Sequence, residues 1–382
     1  MFTFMKNFFA PKAETQKSYS YQDVNSYFLQ EQDKRQNAYA TNPIVHRCVN
    51  IIAQAGSHVP WIVLHKKTKL KEHSLYRLLH MPNPSTAGAD FFACVISNML
   101  LYGNAYILAL GKHAITQMHL LHSPHVDVQL TEGGVAVCYR HSVNGKQYQY
   151  HIDPKTRHSQ VLHIKNYHPS DSLYGLSSLQ AAESAINLHN QSTRWNTALL
   201  NNGARPTGAL VLKNGHLNDE QFSRLQQQLY ERFSGTRNTG QPIILEGGLD
   251  WKEMSVNPKD MDFIRAKENA AKEIALAFGV PVQLLGIQGD STYNNMQEAR
   301  LALWEETILP LLDKISDSLT LWLSNWYGQD ITVDFDRDAI SALTEKRQSM
   351  WKKISEADFM TLNEKRALVN LPPISAKTQE VV

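Results

Sequence analysis

Cysteine is scarce in this sequence. Cys48, Cys94 and Cys138 are the three cysteines among 382 residues, and they lie far apart. An odd number at this spacing forms no Cys-x-x-Cys metal pair and suggests no disulfide framework. We therefore expect a protein that is made in a reducing, intracellular environment.

Long apolar runs are also missing. No run approaches the ~20 apolar residues that a helix needs to cross a bilayer, so no membrane role is expected. The opening segment, MFTFMKNFFAPK, lacks the long apolar core and the small-residue cleavage site of a signal peptide. Residues 1–40 are otherwise polar and Gln-rich, and we expect a flexible arm there. A tail that touches a membrane or a partner is the alternative.

Neither sign of charge is in excess. Lysine and arginine total 38 against 36 aspartate and glutamate residues, which gives a net charge of +2. A protein that grips DNA statically usually carries a basic face, because phosphate neutralisation supplies most of its affinity. The balance disfavours a DNA clamp and is compatible with a channel through which a duplex slides.

Motifs for common catalytic chemistry are absent. The sequence has no Gly-x-x-x-x-Gly-Lys-[Ser/Thr] phosphate loop and no Gly-x-Ser-x-Gly elbow, and no cofactor is predicted. His119, His122 and His125 recur every three residues. Metal binding at that spacing would need a helix, which Pro124 and the surrounding β pattern disfavour.

Three alternating carboxylates, Asp334, Asp336 and Asp338, leave one enzymatic alternative open. Carboxylates at this spacing can bind Mg²⁺ when a second element adds ligands. The simpler interpretation is a strand end followed by acids at a helix start, which the helix dipole favours. The rival function is a metal-dependent hydrolase that uses Asp334, Asp336 and His119, and it requires these residues to meet in one pocket.

The stretch from Tyr174 to Gly208 predicts a long helix. Ser177 and Gln180 have the spacing of a capping box, about 25 residues follow without Pro or Gly, and Gly203 can end the helix in a left-handed conformation. The following apolar or small residues recur at steps of three and four and predict one buried face: Ala181, Ala185, Leu188, Ser192, Trp195 and Leu199.

The remaining pattern predicts an α+β fold. Helices are expected to start at Pro43 and to cover 86–99, 217–233, 258–278 and about 295–327, with a kink at Pro310. Two further helices are expected over about 339–355 and 361–369. Strands are expected at 59–64, at 100–110 with a bulge or close approach at Gly103, throughout 115–164, at 208–212, as a pair formed by 243–245 and 249–251, and at 331–335.

Five segments, in order, resemble one protein family. They are NPIVHRCVNIIAQAGSHVPWIV, LLHMPNPSTAGADFFACVISNMLLYGNAYIL, YGLSSLQAAESAI with NNGARPTGAL, AKEIALAFGVPVQLLG and TLNEKRALVNLPPI. Together they cover roughly residues 42–374, and they resemble the portal proteins of tailed bacteriophages, in particular the compact HK97-type branch. The short C-terminal region and small size are also compatible with a gene transfer agent or a degenerate prophage.

The resemblance implies a portal-type subunit with a mixed α/β wing, a two-helix stem, a small α/β clip and a short helical crown. The implied divisions are the arm (1–40), the wing (41–176 and 295–336), the stem helices (177–203 and 258–279), the clip (204–257), the tunnel loop (280–294) and the crown with the C-terminal tail (337–382).

The implied function is passive in chemical terms. Subunits would form a ring, twelve-fold in known virions, at one capsid vertex. The ring would pass double-stranded DNA without sequence specificity and dock the large terminase subunit, which hydrolyses ATP. It would later dock a head-completion or adaptor protein, and it would nucleate assembly with the major capsid protein and scaffold. The expected location is the virion, after assembly in the bacterial host cytoplasm; no enzyme activity and no cofactor are implied.

The resemblance also assigns candidate site residues. The tunnel-loop residues predicted to contact DNA are Gln288, Gly289, Asp290, Ser291, Thr292 and Asn294. They include no Lys or Arg. An ordinary surface loop is the alternative. The predicted tunnel wall is Arg265, Glu268 and Lys272, with a solvated salt-bridged face as the alternative. Trp195 is assigned to a subunit interface, and the predicted terminase-docking residues of the clip are Arg224, Tyr230, Arg232 and Phe233.

Overall fold

The computed structural model describes residues 34–66, 68–70, 72–111, 114–201, 208–212, 218–233, 249–253, 263–287, 293–369, 371 and 374. Residues 1–33, most of the predicted arm, lie outside this described part of the chain. Within it, helices and antiparallel strands are mixed along the chain. The predicted α+β fold class is therefore confirmed.

The first half of the chain supplies a helical layer and most of the strands. Its elements are α1 (Lys34–Thr41), α2 (Pro43–Ser57), β1 (Trp61–His65), β2 (Thr68–Lys69), α3 (Ser74–His80), α4 (Gly88–Tyr102), β3 (Asn104–Leu110), β4 (Gln117–Leu121), β5 (Val126–Leu130), β6 (Ala136–Val143), β7 (Lys146–His151) and β8 (Val161–Lys165).

The second half is mainly helical. Its elements are α5 (Ser178–Ala181), α6 (Glu183–Asn201), β9 (Gly208–Leu212), α7 (Asp219–Phe233), β10 (Leu249–Glu253), α8 (Phe263–Ala277), α9 (Tyr293–Ala302), a π-helical segment (Leu303–Ile308), α10 (Leu309–Tyr327), β11 (Ile331–Phe335), α11 (Thr344–Ser355) and α12 (Leu362–Leu368).

Helix α2 forms the centre of the core. The Asn42 side chain caps it by accepting hydrogen bonds from the backbone N–H groups of Ile44 and Val45, at 3.0 and 3.2 Å, and Pro43 occupies its first turn as predicted. Its apolar face packs against α4. A Cβ at Gly56 would lie 2.8 Å from Ile96 Cδ1, so glycine permits this close packing.

The sheet β11-β1-β2 joins distant parts of the sequence. In its antiparallel register Trp61 lies opposite Phe335 and Val63 opposite Val333. The Ser316 hydroxyl of α10 donates to the Val333 carbonyl at 2.7 Å, which fixes that helix on the sheet. The predicted strand at 331–335 is confirmed, and the one predicted at 59–64 begins two residues later, at Trp61.

The region predicted to be all-β forms two further sheets, β4-β3-β8 and β5-β6-β7, connected through a 3₁₀ turn at Ser123–His125. The prediction that a strand starts at Leu100 is wrong. Helix α4 continues to Tyr102, and Gly103 ends it in a left-handed conformation with φ 73°. The apolar run Leu100–Tyr102 is buried in the core. Because buried apolar runs occur in both helices and strands, the sequence pattern did not distinguish the two.

The long helix predicted from Ser177 is divided at Ala182 into α5 and α6. Ser177 caps α5 as predicted, its hydroxyl accepting from the Gln180 backbone N–H at 3.0 Å. The predicted face is wrong at Ala181 and Leu188, which are exposed, because the buried row runs one position away. The buried residues of this row are Leu179, Ala182, Ala185, Ile186, His189 and Ser192.

The described residues between α6 and α8 form β9, α7 and β10. β10 pairs antiparallel with β9, placing Trp251 opposite Leu210. The predicted partner strand at 243–245 lies outside the described residues. Near the C-terminus, two 3₁₀ turns precede α11, so that helix begins at Thr344 rather than near residue 339, whereas α12 starts with a capping box formed by Thr361 and Glu364.

Candidate functional site

The two helices assigned to the stem, α6 and α8, pack along one another. Alanine and serine side chains on the buried faces allow the close contact. On α6 the buried face includes Ala185, Ile186, His189 and Ser192, and on α8 it includes Ala270, Ala271, Ile274 and Ala275. The C-terminal part of α8 also enters the main core through Ile274 and, just beyond the helix, Phe278.

A polar contact joins the stem to the start of α2. Asn42 Nδ2 lies 3.2 Å from His189 Nδ1 and donates to Asn190 Oδ1 at 2.9 Å. Burial, with a further contribution from the nearby Lys267, lowers the pKa of His189 below its usual value. His189 is therefore a neutral structural group at this junction, and the Asn42 side chain serves both as a helix cap and as a brace for α6.

The outward side of α8 carries the predicted tunnel-wall residues. Arg265 and Lys272 are exposed and Glu268 is half-buried. Glu268 and Lys272 lie on a row of four-residue steps whose ends are Ile264, 73 % exposed, and Leu276, 80 % exposed. The apolar ends of this row are suited to contact with protein, and the tunnel-wall role of Arg265, Glu268 and Lys272 stays a prediction. Sequence reasoning missed these two apolar residues, although their spacing signals them.

Trp195, the predicted interface residue, is half-buried on the last part of α6. It lies three residues after the buried Ser192 and continues that row toward the end of the helix. Leu188 on the neighbouring row is 45 % exposed. The described part of the chain thus leaves apolar surface on α6 as well as on α8, and the assignment of Trp195 to an interface stays a prediction.

The C-terminal end of α8 is joined to the π-helical segment Leu303–Ile308 that lies between α9 and α10. The Val280 N–H donates to the Ala275 carbonyl at 2.9 Å, and Gly279 takes a left-handed φ of 67°. The Thr307 hydroxyl, in the π-helical segment, donates to the Gly279 carbonyl at 2.6 Å. A Cβ at Gly279 would lie 2.6 Å from that hydroxyl oxygen, so the close contact requires glycine.

The predicted tunnel-loop residues follow this junction. Val282–Leu285 forms a 3₁₀ turn that ends at Gly286 with φ 69°. Gln288, Gly289, Asp290, Ser291 and Thr292 lie outside the described residues. Asn294 lies in the first turn of α9, but its side chain is also outside the described part, so their contact with DNA stays a prediction.

The predicted docking residues of the clip lie on α7. Arg224 is exposed on this helix. The backbones of Tyr230, Arg232 and Phe233 belong to the same helix, and their side chains lie outside the described residues. Phe222, which is 59 % exposed, adds an apolar side chain to the surface of α7. The docking role of this helix stays a prediction.

The residues of the hydrolase alternative are engaged in separate places. His119 lies on β4 and bonds Gln117 Oε1 at 2.9 Å, and burial lowers the pKa of this histidine. Asp334 pairs with Arg337, and Asp336 pairs with Lys69 while capping the Asp338 N–H. The structure does not bring these residues together in one pocket.

The third carboxylate of that alternating set, Asp338, pairs with Arg347 at 3.2 Å. Nowhere in the described part of the chain do three histidine, cysteine or acidic side chains form a group that could hold a metal ion. A membrane-spanning helix, which would have to be both long and apolar, is likewise not found among the described residues.

The order of these elements agrees with comparisons to known proteins. A family model described as phage portal protein matches residues 43–370. The chain belongs to the phage portal protein family. The match spans the ranges assigned to the wing, stem and clip and most of the range assigned to the crown, and it confirms the family inferred from the sequence motifs.

Two relatives show the range of similarity within the family. An uncharacterized protein of Rickettsia bellii (strain RML369-C) is 57% identical over 342 residues, which cover 88% of this chain and 89% of that protein. The portal protein of Enterobacteria phage HK97 is 24% identical over 348 residues, covering 86% of this chain and 78% of the phage protein.

A solved structure extends the comparison to an assembled particle. The neck of a native gene transfer agent particle, computed with C12 symmetry, contains a chain that is 39% identical to this one with a TM-score of 0.67. The alignment covers 89% of this chain and 92% of that chain. The portal fold is therefore shared over most of both chains.

Proposed function

We propose that this chain is the subunit of a twelve-fold ring whose central channel passes double-stranded DNA. Portal family membership and the C12 symmetry of the similar neck support the ring. In this chain, the proposal rests on the row of α8 that faces away from α6 and runs from Ile264 to Leu276. Ile264 and Leu276 are among the most exposed large apolar side chains described, and they lie on a helix whose opposite side is already packed on α6.

The divisions implied by the sequence fit this ring. The helices α6 and α8 would line or frame the channel as the stem, residues 204–257 would be the clip and residues 280–294 the tunnel loop. The wing would combine 41–176 with 295–336, which the pairing of β1 with β11 supports. Residues 337–382 would form the crown.

The partners follow from the same proposal. The clip would dock the large terminase subunit during packaging and a head-completion or adaptor protein afterwards, and the wing or crown would contact the major capsid protein and scaffold. The ring would be assembled in the bacterial host cytoplasm and reside at the portal vertex of a virion or the neck of a gene transfer agent particle. Its role is structural, since ATP hydrolysis belongs to the terminase partner.

Replacing Leu276 with aspartate tests the ring directly. Leu276 is 80 % exposed in the subunit, so Leu276→Asp should leave folding intact. In the ring, full burial of the leucine side chain would contribute ~1.5–3 kcal/mol. The aspartate would instead leave an unpaired charge buried at that position. We expect wild-type protein to sediment as a ring of hundreds of kilodaltons and the variant to sediment as monomer.

Leu276→Met is the matched control, because it keeps an apolar side chain of similar volume at the same position. We expect it to assemble like the wild type. Circular dichroism and thermal unfolding establish that both variants fold. If Leu276→Asp forms rings as stable as those of the wild type, α8 does not form the contact between subunits. If the wild-type chain stays monomeric at all concentrations, the ring proposal is wrong.

A further inference from the structure

A polar cavity of about 420 Å³ opens beside the wing sheets. It is bounded by Tyr106 of β3, Asp127 of the edge strand β5 and a loop that contains His168, Asp171 and Tyr174. Its lining residues include two carboxylates and neither lysine nor arginine. The lining therefore carries negative charge, and Arg140, which is outside the lining, pairs with one of the two carboxylates, Asp127.

The walls of the cavity are fixed by backbone contacts. Gly103 and Gly175 cross so closely that a Cβ on Gly175 would lie 2.1 Å from the Gly103 carbonyl oxygen. Asn104 Oδ1 accepts from the Gly175 N–H at 2.8 Å. The Tyr174 hydroxyl accepts from the Val128 N–H of edge strand β5 at 2.9 Å. The loop is thus tied both to β3 and to β5, and the cavity is preformed.

Tyr106 is a buried polar residue of this cavity. Its side chain is 1 % exposed and stacks on His163 with ring centroids 4.3 Å apart. Its hydroxyl has no hydrogen-bond partner among the described residues. Burial is the main cause that raises the pKa of Tyr106, and Tyr174, Asp127 and Asp171 add to it. The phenol therefore stays neutral, and its oxygen can accept a hydrogen bond from a ligand.

Asp171 supplies a permanent negative charge. Its Oδ1 accepts from the backbone N–H groups of Leu173 and Tyr174 at 2.7 and 3.2 Å, and these bonds lower its pKa. At the rim, Asp127 Oδ2 accepts from Arg140 at 3.1 Å. Asp127, Asp171 and Tyr106 therefore line the same cavity, and Asp171 is the carboxylate among them without a side-chain cation paired to it among the ion pairs of the described residues.

Resting on the ring proposed above, we propose that this cavity receives an arginine side chain from a neighbouring copy of the chain. A guanidinium group is planar, is always charged and has five N–H donors, which suits oxygen acceptors on several walls. A metal ion fits less well, because no group of three metal-binding side chains occurs among the described residues. Tyr167, which precedes His168 of the cavity loop in the sequence, is 82 % exposed, and an exposed aromatic side chain is typical of a protein contact.

Asp171→Asn tests the charge while preserving the loop. The asparagine Oδ1 can still accept from Leu173 and Tyr174, so the turn is kept and only the negative charge is lost. Asp153→Asn is the matched control, because Asp153 accepts from the Lys155 and Thr156 N–H groups in a similar turn outside the cavity. Tyr106→Phe removes the hydroxyl alone.

We expect Asp171→Asn and Tyr106→Phe to raise the ring dissociation constant at least tenfold in sedimentation velocity, while Asp153→Asn changes it less than twofold. The melting temperature of dissociated Tyr106→Phe subunits should equal or exceed that of the wild type, because an unpartnered hydroxyl is removed. If the wild type forms rings and the rings of all three variants are as stable as wild-type rings, the cavity contact is wrong and the ring proposal still holds.

A direct binding measurement keeps the two proposals separate. N-acetyl-arginine methylamide should bind dissociated wild-type subunits saturably by calorimetry, and Asp171→Asn should abolish this. Wild-type protein that forms no ring would contradict the proposed function, and with it the neighbouring copy as occupant. Binding of the arginine probe without any effect of the variants on ring stability would assign the cavity to another partner and overturn the proposal.

Discussion

At the scale of single residues, Gly103 and Gly175 let two backbone segments cross at a distance that side chains would prevent. The Gly175 N–H donates to Asn104 Oδ1 at 2.8 Å, so the crossing is also a hydrogen-bonded contact, and the Asn166 N–H donates to the Gly103 carbonyl at 2.8 Å. Asn104 adds to it by donating from Nδ2 to the carbonyls of Tyr102 and Gly175. The motifs LYGNAYIL and YGLSS, far apart in sequence, therefore meet at this point.

Gly175→Ala should destabilise the subunit by about 3 kcal/mol or more, since overpacking against fixed backbone cannot be relieved by side-chain motion. Its φ is not left-handed, so the cost is steric. Gly145→Ala is the comparison: Gly145 has φ 71° with nothing within 4 Å of an added Cβ, and a loss of about 1 kcal/mol is expected. Urea unfolding of both variants measures the difference. Equal losses would show that the crossing relaxes.

Part of this arrangement can be predicted from the sequence. Gly103 is predicted to mark a bulge or a close approach, and the close approach is confirmed. Its partner could not be predicted, because a single sequence does not state which distant glycine faces it. The same limit explains the shifted face of α6, where Ala185 and Ser192 are buried as predicted but Leu188 is exposed, since a helix with few apolar residues defines its face weakly.

At the scale of elements, the long helix around Pro310 shows how a proline is accommodated. Leu303–Ile308 is π-helical, and the Leu309 N–H donates to the Trp304 carbonyl, five residues earlier. The wider turn gives room for the Pro310 ring, which has no N–H to donate and would clash with a carbonyl of a regular α-helix. The sequence predicts a kink at Pro310, and the kink stays a prediction. The sequence does not predict the π-helical form, which also depends on the contact of Thr307 with Gly279.

Thr307→Val should test the contact that joins this segment to the end of α8. The substitution removes the hydroxyl that donates to the Gly279 carbonyl but retains the branched shape. We expect a loss of about 1 kcal/mol in the free energy of unfolding. Thr193→Val is the control, since the Thr193 hydroxyl donates to the His189 carbonyl of its own helix and its removal should cost almost nothing. A Thr307→Val variant as stable as this control would mean that the contact contributes nothing to stability.

At the scale of the whole molecule, the near-neutral charge and the absence of Lys and Arg from 286–294 fit a channel with little electrostatic friction. The family could be predicted because its motifs recur in a fixed order. The contacts of the tunnel loop, the clip and Trp195 could not be established in the same way, because they depend on neighbouring subunits, DNA and other partners that local sequence patterns do not encode.

Asp290→Lys should strengthen the contact between the predicted tunnel loop and DNA. In the proposed ring it would place one additional cation per subunit around the channel, and each phosphate contact steepens the dependence of binding on salt. We expect stronger, salt-sensitive DNA retention by isolated rings and slower packaging. Asp290→Asn is the control for loss of the carboxylate alone. Unchanged retention and packaging in the lysine variant would place the loop away from the DNA path.

The pairing of β1 with β11 also has an evolutionary consequence. The two strands pair although the segment from α6 to α8 lies between them in the sequence. The described elements β9, α7 and β10 of that segment take no part in the β1–β11 pairing. Among the described residues, those of β9, α7 and β10 are absent from the main core, so changes in these three elements can accumulate without disturbing it. If this segment docks partner proteins as proposed, such a plan would let a lineage change those partners while it keeps one assembly scaffold.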